Sequence, residues 1–383
     1  MSSKVALLAA TAILASLPAR AEIVVGFVTG LSGPVSSIGI PNAKGLQAGV
    51  AYTGDIGGEK VRVIQLDDAS NPTASTQNAR KLVEQDHVDF LIGTSGTPQT
   101  TAMAGVATEL GVPMVAVSPL ASVPQGKDGP WAVQIPQPAP ILVRGIVDHM
   151  KANNLKTIAF FGFADAFGDL MYNSLAKAIE GTDIKIVGNE RYQRSDTSVT
   201  AQALKVVAAK PDAIMLGGTG TPGALPALAI RDRGFKGTVY GNHGMISADF
   251  LRVAGKAADG IICPTGPVTV AAQLPESNPI RKVALAYEAE YQKVNGAAPT
   301  DSFAAYGFDG WLALADAAKR ALATDAKPGT PEFHKAARDA LFSTKELVGT
   351  QGVYNFKPDD SYWVDDRARV MVKIENGGYE LLK

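Results

Sequence analysis

The residues best placed to hold a small molecule are hydroxyls that follow short apolar runs. Residues 89–122 read DFLIGTSGTPQTTAMAGVATELGVPMVAVSPLAS. Phe90-Leu91-Ile92 and Met114-Val115-Ala116-Val117 are continuous apolar blocks, as parallel strands covered on both faces tend to be. Each block leads into a turn of small and hydroxylated residues, Ser95 and Thr97 in the first, Leu120-Ala121-Ser122 in the second. Thr97-Pro98 is a helix-start signal: a hydroxyl at the cap, then a proline where no amide hydrogen is needed. Open parallel sheets bind ligands along that edge. Helix N-termini there favour an anionic group, through unpaired N–H donors and a partial positive charge.

Other chemistry is thinly represented. His243, in Tyr240-Gly241-Asn242-His243-Gly244, directly follows an apolar run and falls on the same kind of edge, whereas His87, His149 and His334 are scattered without metal-ligand spacing. Gly218-Thr219-Gly220-Thr221-Pro222-Gly223 matches a dinucleotide fingerprint, but the next strand ends in Gly241-Asn242 with no carboxylate for a ribose. It reads instead as a permissive turn facing a cleft. Asp67-Asp68 precedes Asn71-Pro72 and reads as a capping pair, and Asp165, Asp309, Asp365 and Asp366 as turn or interlobe residues. No G-x-S-x-G occurs, the histidines lack ligand spacing and the glycine loop lacks its acidic partner, so no catalytic role, metal or cofactor is expected. The one cysteine, Cys263, lies between Ile262 and Pro264 and reads as a small buried apolar residue; no internal disulfide is possible.

These residues need a scaffold, and the chain supplies an alternating one. Strands are expected at 23–28, 61–66, 89–92, 113–118, 157–162, 184–187, 212–216, 238–240 and 260–263. Amphipathic stretches between them include 41–52, 73–85, 140–151, 170–179, 199–209 and 222–233. This alternation implies βαβ units and parallel sheets. At 383 residues the chain is long enough for two domains. Residues 134–140, QIPQPAP, read as an extended crossing between them. Helices without strands follow at 279–294, 302–322 and 331–342, and a hairpin at 367–374 and 379–382 turns on Glu375-Asn376-Gly377-Gly378. A formal charge of −1 suggests no nucleic-acid partner. Lys4, the apolar run 5–17 and Pro18-Ala19-Arg20-Ala21 form a secretory leader, cleaved before Glu22. The run is well short of the ~20 residues a membrane span needs.

In this order and spacing the chain resembles the periplasmic substrate-binding proteins of ABC importers, specifically the branched-chain amino-acid (Leu/Ile/Val) group. The landmarks are Gly30-Leu31-Ser32-Gly33-Pro34, Asp67-Asp68-Ala69, Leu91-Ile92-Gly93, Gly111-Val112-Pro113, Ser118-Pro119, Phe167-Gly168 and residues 306–312. The resemblance implies an α/β type I periplasmic binding protein, two Rossmann-like lobes with parallel central sheets joined by three hinge crossings. The lobes would be 22–138 with 271–349, and 139–270 with 350–383. It also implies a monomer in the periplasm, a permease and ATPase complex in the inner membrane as partners, and hinge closure on a small ligand. A ligand-sensing protein reporting to a receptor is the alternative role.

Carried over position by position, the resemblance makes Thr97 and Ser122 the hydroxyls for a ligand carboxylate, with help from the backbone of Leu120 and Ala121. Ile38, Phe167 and Thr219 stand where relatives wall the cleft with aromatic residues, and Ser95 lies beside them. His243 stands where relatives place an acidic residue for the ligand ammonium. Losing that acid would leave a buried cation unpaired, a penalty of ~3–5 kcal/mol. Micromolar binding is worth only ~8 kcal/mol in all. The expected ligand is therefore a small carboxylate without an amine, an aromatic or other apolar organic acid. The alternative is a branched-chain or other hydrophobic amino acid.

Overall fold

The computed structural model describes residues 22–359 and 363–382; the expected leader lies outside the described residues. In the first lobe, β1 (Ile23–Thr29), β2 (Val61–Asp67), β3 (Phe90–Gly93) and β4 (Met114–Ala116) pair in parallel. The small antiparallel pair β5 (Gln125–Gly126) and β6 (Gly129–Pro130) precedes β7 (Ala132–Gln134), which completes the sheet in the order β2-β1-β3-β4-β7. Strands β1, β3 and β4 are buried throughout, as their unbroken apolar runs require, while the edge strand β2 alternates. Helices α1 (Ser36–Thr53), α2 (Pro72–Glu84) and α3 (Thr97–Leu110) make the crossovers. The chain steps from β1 to one neighbour, β2, and then back past β1 to the other, β3. That reversal opens a crevice at the strand ends. Across it, the Ser95 hydroxyl lies 2.7 Å from that of Thr29 and accepts from the Gly30 amide.

The second lobe repeats the plan. Helix α4 (Ala139–Ala152) leads into β8 (Thr157–Phe163), α5 (Ala166–Ala178), β9 (Lys185–Tyr192), α6 (Thr200–Ala208) and β10 (Ala213–Gly217). Then come α7 (Ala224–Asp232), β11 (Thr238–Tyr240), α8 (Ala248–Ala254) and β12 (Ile262–Thr265). The chain returns to the first lobe for α9 (Pro279–Asn295), α10 (Phe303–Leu322), α11 (Pro331–Leu341) and the short pair β13 (Leu347–Val348) and β14 (Val353–Tyr354). It ends as a hairpin, β15 (Val370–Glu375) and β16 (Gly378–Leu381), laid antiparallel on β12, so this sheet runs β16-β15-β12-β11-β10-β8-β9. Its reversal lies between β8 and β10, facing that of the first lobe.

Every expected strand is present. Three details differ. Strand β7 occupies the start of the expected crossing, because Gln134 is buried and its amide ties the Leu120 N–H to the Pro136 carbonyl. Helix α1 begins a turn before Pro41, with the proline inside it. The last crossing comes after Trp363 rather than at 350, because Tyr354, Phe356 and Trp363 pack into the first lobe's core with Trp311 and Phe333.

The three crossings are knotted together. The Gln137 amide donates to the carbonyls of Gln351 and Ala368, both at 3.0 Å. The Tyr306 hydroxyl donates to Gln137 Oε1 at 2.7 Å. Asp309, one turn along α10, accepts from the Thr350 and Gln351 amides and the Tyr354 hydroxyl. Gly266, on the remaining crossing, has no room for a side chain: a Cβ would stand 1.6 Å from Gln351 Oε1 and 2.7 Å from Gln137 Nε2.

Candidate functional site

The facing crevices form a pocket between the lobes. Its first wall is Ile38 from α1, Ser95-Gly96-Thr97 after β3, Val117-Ser118-Pro119 after β4, and Phe303 and Tyr306 from α10. The second is Phe167, Arg194, Thr219, His243 and Gly244. The lobes are drawn together until about 20 Å³ remains, barely the space of one water molecule. The Thr221 amide donates to Ser37 Oγ across the mouth at 3.3 Å. Gly220, at φ +56°, lies so close that a Cβ would stand 2.7 Å from that oxygen. The glycine turn that mimics a nucleotide loop is thus the contact on which the lobes close.

Each wall is set by local chemistry. Gly93 has φ +137° and lies where a Cβ would meet the Val28 carbonyl at 2.1 Å, so β3 leaves the sheet sharply and α3 starts at the pocket. The cap of α3 is Gly96 in extended conformation, not Thr97, which is the first helical residue. The Thr97 hydroxyl is therefore free of capping; it is buried and has no partner among the described residues. Opposite, Asn242 accepts from the Gly244 amide and donates to the Leu216 and Gly218 carbonyls at 2.9 and 2.8 Å. That fixes the His243 turn against the end of β10. His243 is 4% exposed and its Nδ1 has no partner among the described residues. Burial pushes its pKa down to about 4, so the ring is neutral at neutral pH. The rings of Phe167 and Tyr306 meet it edge-on at 6.2 and 6.1 Å.

The structure thus brings Thr97, Ser95, Ile38, Phe167, Thr219 and His243 together, and leaves three expected residues out. Leu120 points into the core beneath the sheet, and its amide is held by Gln134 Oε1. The Ala121 amide is held by Thr101 Oγ1, and Ala121 and Ser122 are exposed. Neither amide is free for a ligand, and the hydroxyl that lines the pocket after β4 is that of Ser118. Asp67 and Asp68 bond the 30–35 loop and the start of α2, away from the pocket.

Arg194 was not expected here. Its Nε donates to Asp165 Oδ2 at 2.6 Å, its Nη1 to Thr219 Oγ1 at 3.2 Å, and its guanidinium lies 4.1 Å over the Phe163 ring. Strand β9 runs to Tyr192, past its expected end at 187, and so carries Arg194 to the sheet edge. Asp165, just beyond the end of the adjacent β8, caps α5 through the Phe167 and Gly168 amides. An arginine and an aspartate each placed just after adjacent strand ends was the available sequence signal.

The sequence profile of the periplasmic binding protein family matches residues 22–360. This chain belongs to that family. The periplasmic binding protein is 26% identical over 260 residues to Leu/Ile/Val-binding protein homolog 3 of Brucella melitensis, spanning 64% of this chain and 67% of the relative. It is 27% identical over 253 residues to Leu/Ile/Val-binding protein BraC3 of Rhizobium johnstonii, with the same shares of each chain. An extracellular ligand-binding receptor from Rhodopseudomonas palustris HaA2 has a TM-score of 0.90 at 41% identity, covering 94% of this chain and all of that one. The leucine binding protein LivK of Thermotoga maritima shares the fold, with a TM-score of 0.78 at 22% identity over 94% of this chain and 98% of its own. The architecture is the type I periplasmic binding protein fold.

Proposed function

We propose that this periplasmic binding protein is the extracytoplasmic solute-binding component of an ABC importer, a monomer that closes its lobes on a small ligand and presents it to a permease and ATPase. The observation that carries the reading is the interlobe pocket lined on opposite walls by Thr97 and His243, whose Oγ1 and Nδ1 are buried and have no partner among the described residues. Buried polar atoms without partners are rare, and a ligand would supply them. Thr97, Ser118 and the first turn of α3 suit a carboxylate; Ile38, Val117, Phe167 and Phe303 suit an apolar body.

The relatives favour a branched-chain or other hydrophobic amino acid as that ligand. A specific observation favours the second reading, an aromatic or other apolar organic acid: among the described residues lining the pocket, none is acidic and one, Arg194, is cationic. Calorimetric titration of ligand-stripped protein with leucine, isoleucine and valine, and with aromatic and medium-chain carboxylates, tests both. Micromolar binding of either class supports the role; binding of neither contradicts it. Export is supported by the family match beginning at residue 22, and N-terminal sequencing of periplasmic protein should start at Glu22.

A further inference from the structure

Arg194 lines the pocket, and its ion-pair partner Asp165 lies outside the lining. The two side chains are 13% and 19% exposed, and the guanidinium donates to Thr219, another lining residue. Thr219 in turn packs on Gly244, where an added Cβ would meet Thr219 Cγ2 at 2.3 Å, so Arg194 stands next to the His243 turn. Three contacts hold it: the carboxylate of Asp165, the hydroxyl of Thr219 and the ring of Phe163. Asp165 is fixed as well, because its other oxygen caps α5. Nη2 has no hydrogen-bond partner among the described residues.

We infer that Arg194 is a specificity-determining residue: it is a cation built into the second wall, and it biases the site against a ligand ammonium and toward an acid that lacks one. This rests on the proposed role, in which a small carboxylate with an apolar body occupies the pocket. None of the described lining residues is acidic, and the charge of nearby Asp165 is already matched by Arg194. Arg194 lines the pocket and Asp165 does not, so an incoming ammonium would meet the cation of the pair before its counter-charge, in a poorly solvated space where like charges are screened far less than in water. An anion would find an unused N–H donor and charge complementarity. His243, neutral in the fold, supplies no charge of its own.

The test compares matched ligands on three proteins. Wild type, Arg194→Gln and Arg194→Lys are titrated by calorimetry with leucine and phenylalanine and with their counterparts lacking the amino group, 4-methylpentanoate and 3-phenylpropanoate. Wild type is expected to bind the acids more tightly. Arg194→Gln should shift the acid-to-amino-acid affinity ratio toward the amino acids by tenfold or more, by freeing Asp165 and removing the cation. Arg194→Lys should keep the wild-type ratio, which a merely packing role for Arg194 would not. A ratio unchanged in Arg194→Gln, with melting temperature and fold retained, overturns the inference while leaving the binding role intact. Failure of wild type to bind any of the four ligands overturns the ligand class and the inference with it.

Discussion

Thr97 and Ser122 make a clean pair of comparisons, because one hydroxyl is buried without a partner in the pocket and the other is on the surface outside it. Thr97→Val keeps the shape and removes the hydroxyl. A hydrogen bond to a charged group contributes about 1.5–3 kcal/mol, so carboxylate affinity should fall roughly 10- to 100-fold with the ligand-free melting temperature unchanged or higher. Ser122→Ala should leave affinity as it is, and a large loss there would restore the sequence-based assignment. His243 has a pH signature. Its folded pKa lies below the free value of 6.5, at about 4, so the fold prefers the neutral ring. Its contribution is complete above pH 6.5 and is lost as pH falls toward 4, on the order of 3 kcal/mol. Asp309, raised by burial to about 6, titrates in the same window with the opposite sign. The comparison must therefore be wild type against His243→Gln in urea melts at pH 7 and pH 4.5. Wild type should lose more stability than the variant between those values. Thr97, Thr219 and His243 were legible in the sequence because each follows a strand end by a few residues. The placement of Ser122 outside the pocket was not legible, because the partners that occupy the neighbouring amides, Gln134 and Thr101, are set by tertiary packing.

The knot joining the crossings turns local substitutions into hinge effects. Gly266→Ala would place a methyl against Gln351 Oε1 and Gln137 Nε2. Neither amide can yield freely, since both are buried and tied to the carbonyls of Ser302, Gln351 and Ala368. Overpacking of that kind costs about 1–3 kcal/mol, and the expected result is a lower urea midpoint; an unchanged midpoint would show the crossings to be loosely held. Strands such as β1, β3 and β8 were readable because continuous apolar runs that end at or beside a glycine have few alternatives. The position of the last crossing was not, because it depends on Tyr354, Phe356 and Trp363 finding Trp311 and Phe333 in the first lobe. Short apolar segments near a boundary carry no mark of which core will accept them.

At the level of the two lobes, closure rests on the fit of Gly220 against Ser37 and Ile38. Gly220→Ala adds a methyl at φ +56° where 2.7 Å is available, so the lobes should stand further apart. Small-angle scattering should then report a larger radius of gyration than wild type, with ligand affinity down about tenfold or more, equivalent to ~1.4 kcal/mol. An unchanged radius would show that closure does not depend on this contact. The hairpin of β15 and β16 bears on how such a molecule is assembled. Cys263 in β12 pairs with Val372, yet the whole of α9, α10 and α11 intervenes in the chain. As the polypeptide folds from its N-terminal end, the second lobe waits unfinished while the first receives its last helices. Until 370–381 arrive, β12 is an open edge of unpaired N–H and C=O groups, the kind of surface on which chains aggregate. Completion of one lobe is thereby made conditional on completion of the other, and a chain shortened to end at 365 should be recovered as aggregate. A soluble, cooperatively melting product would show that the lobes assemble independently.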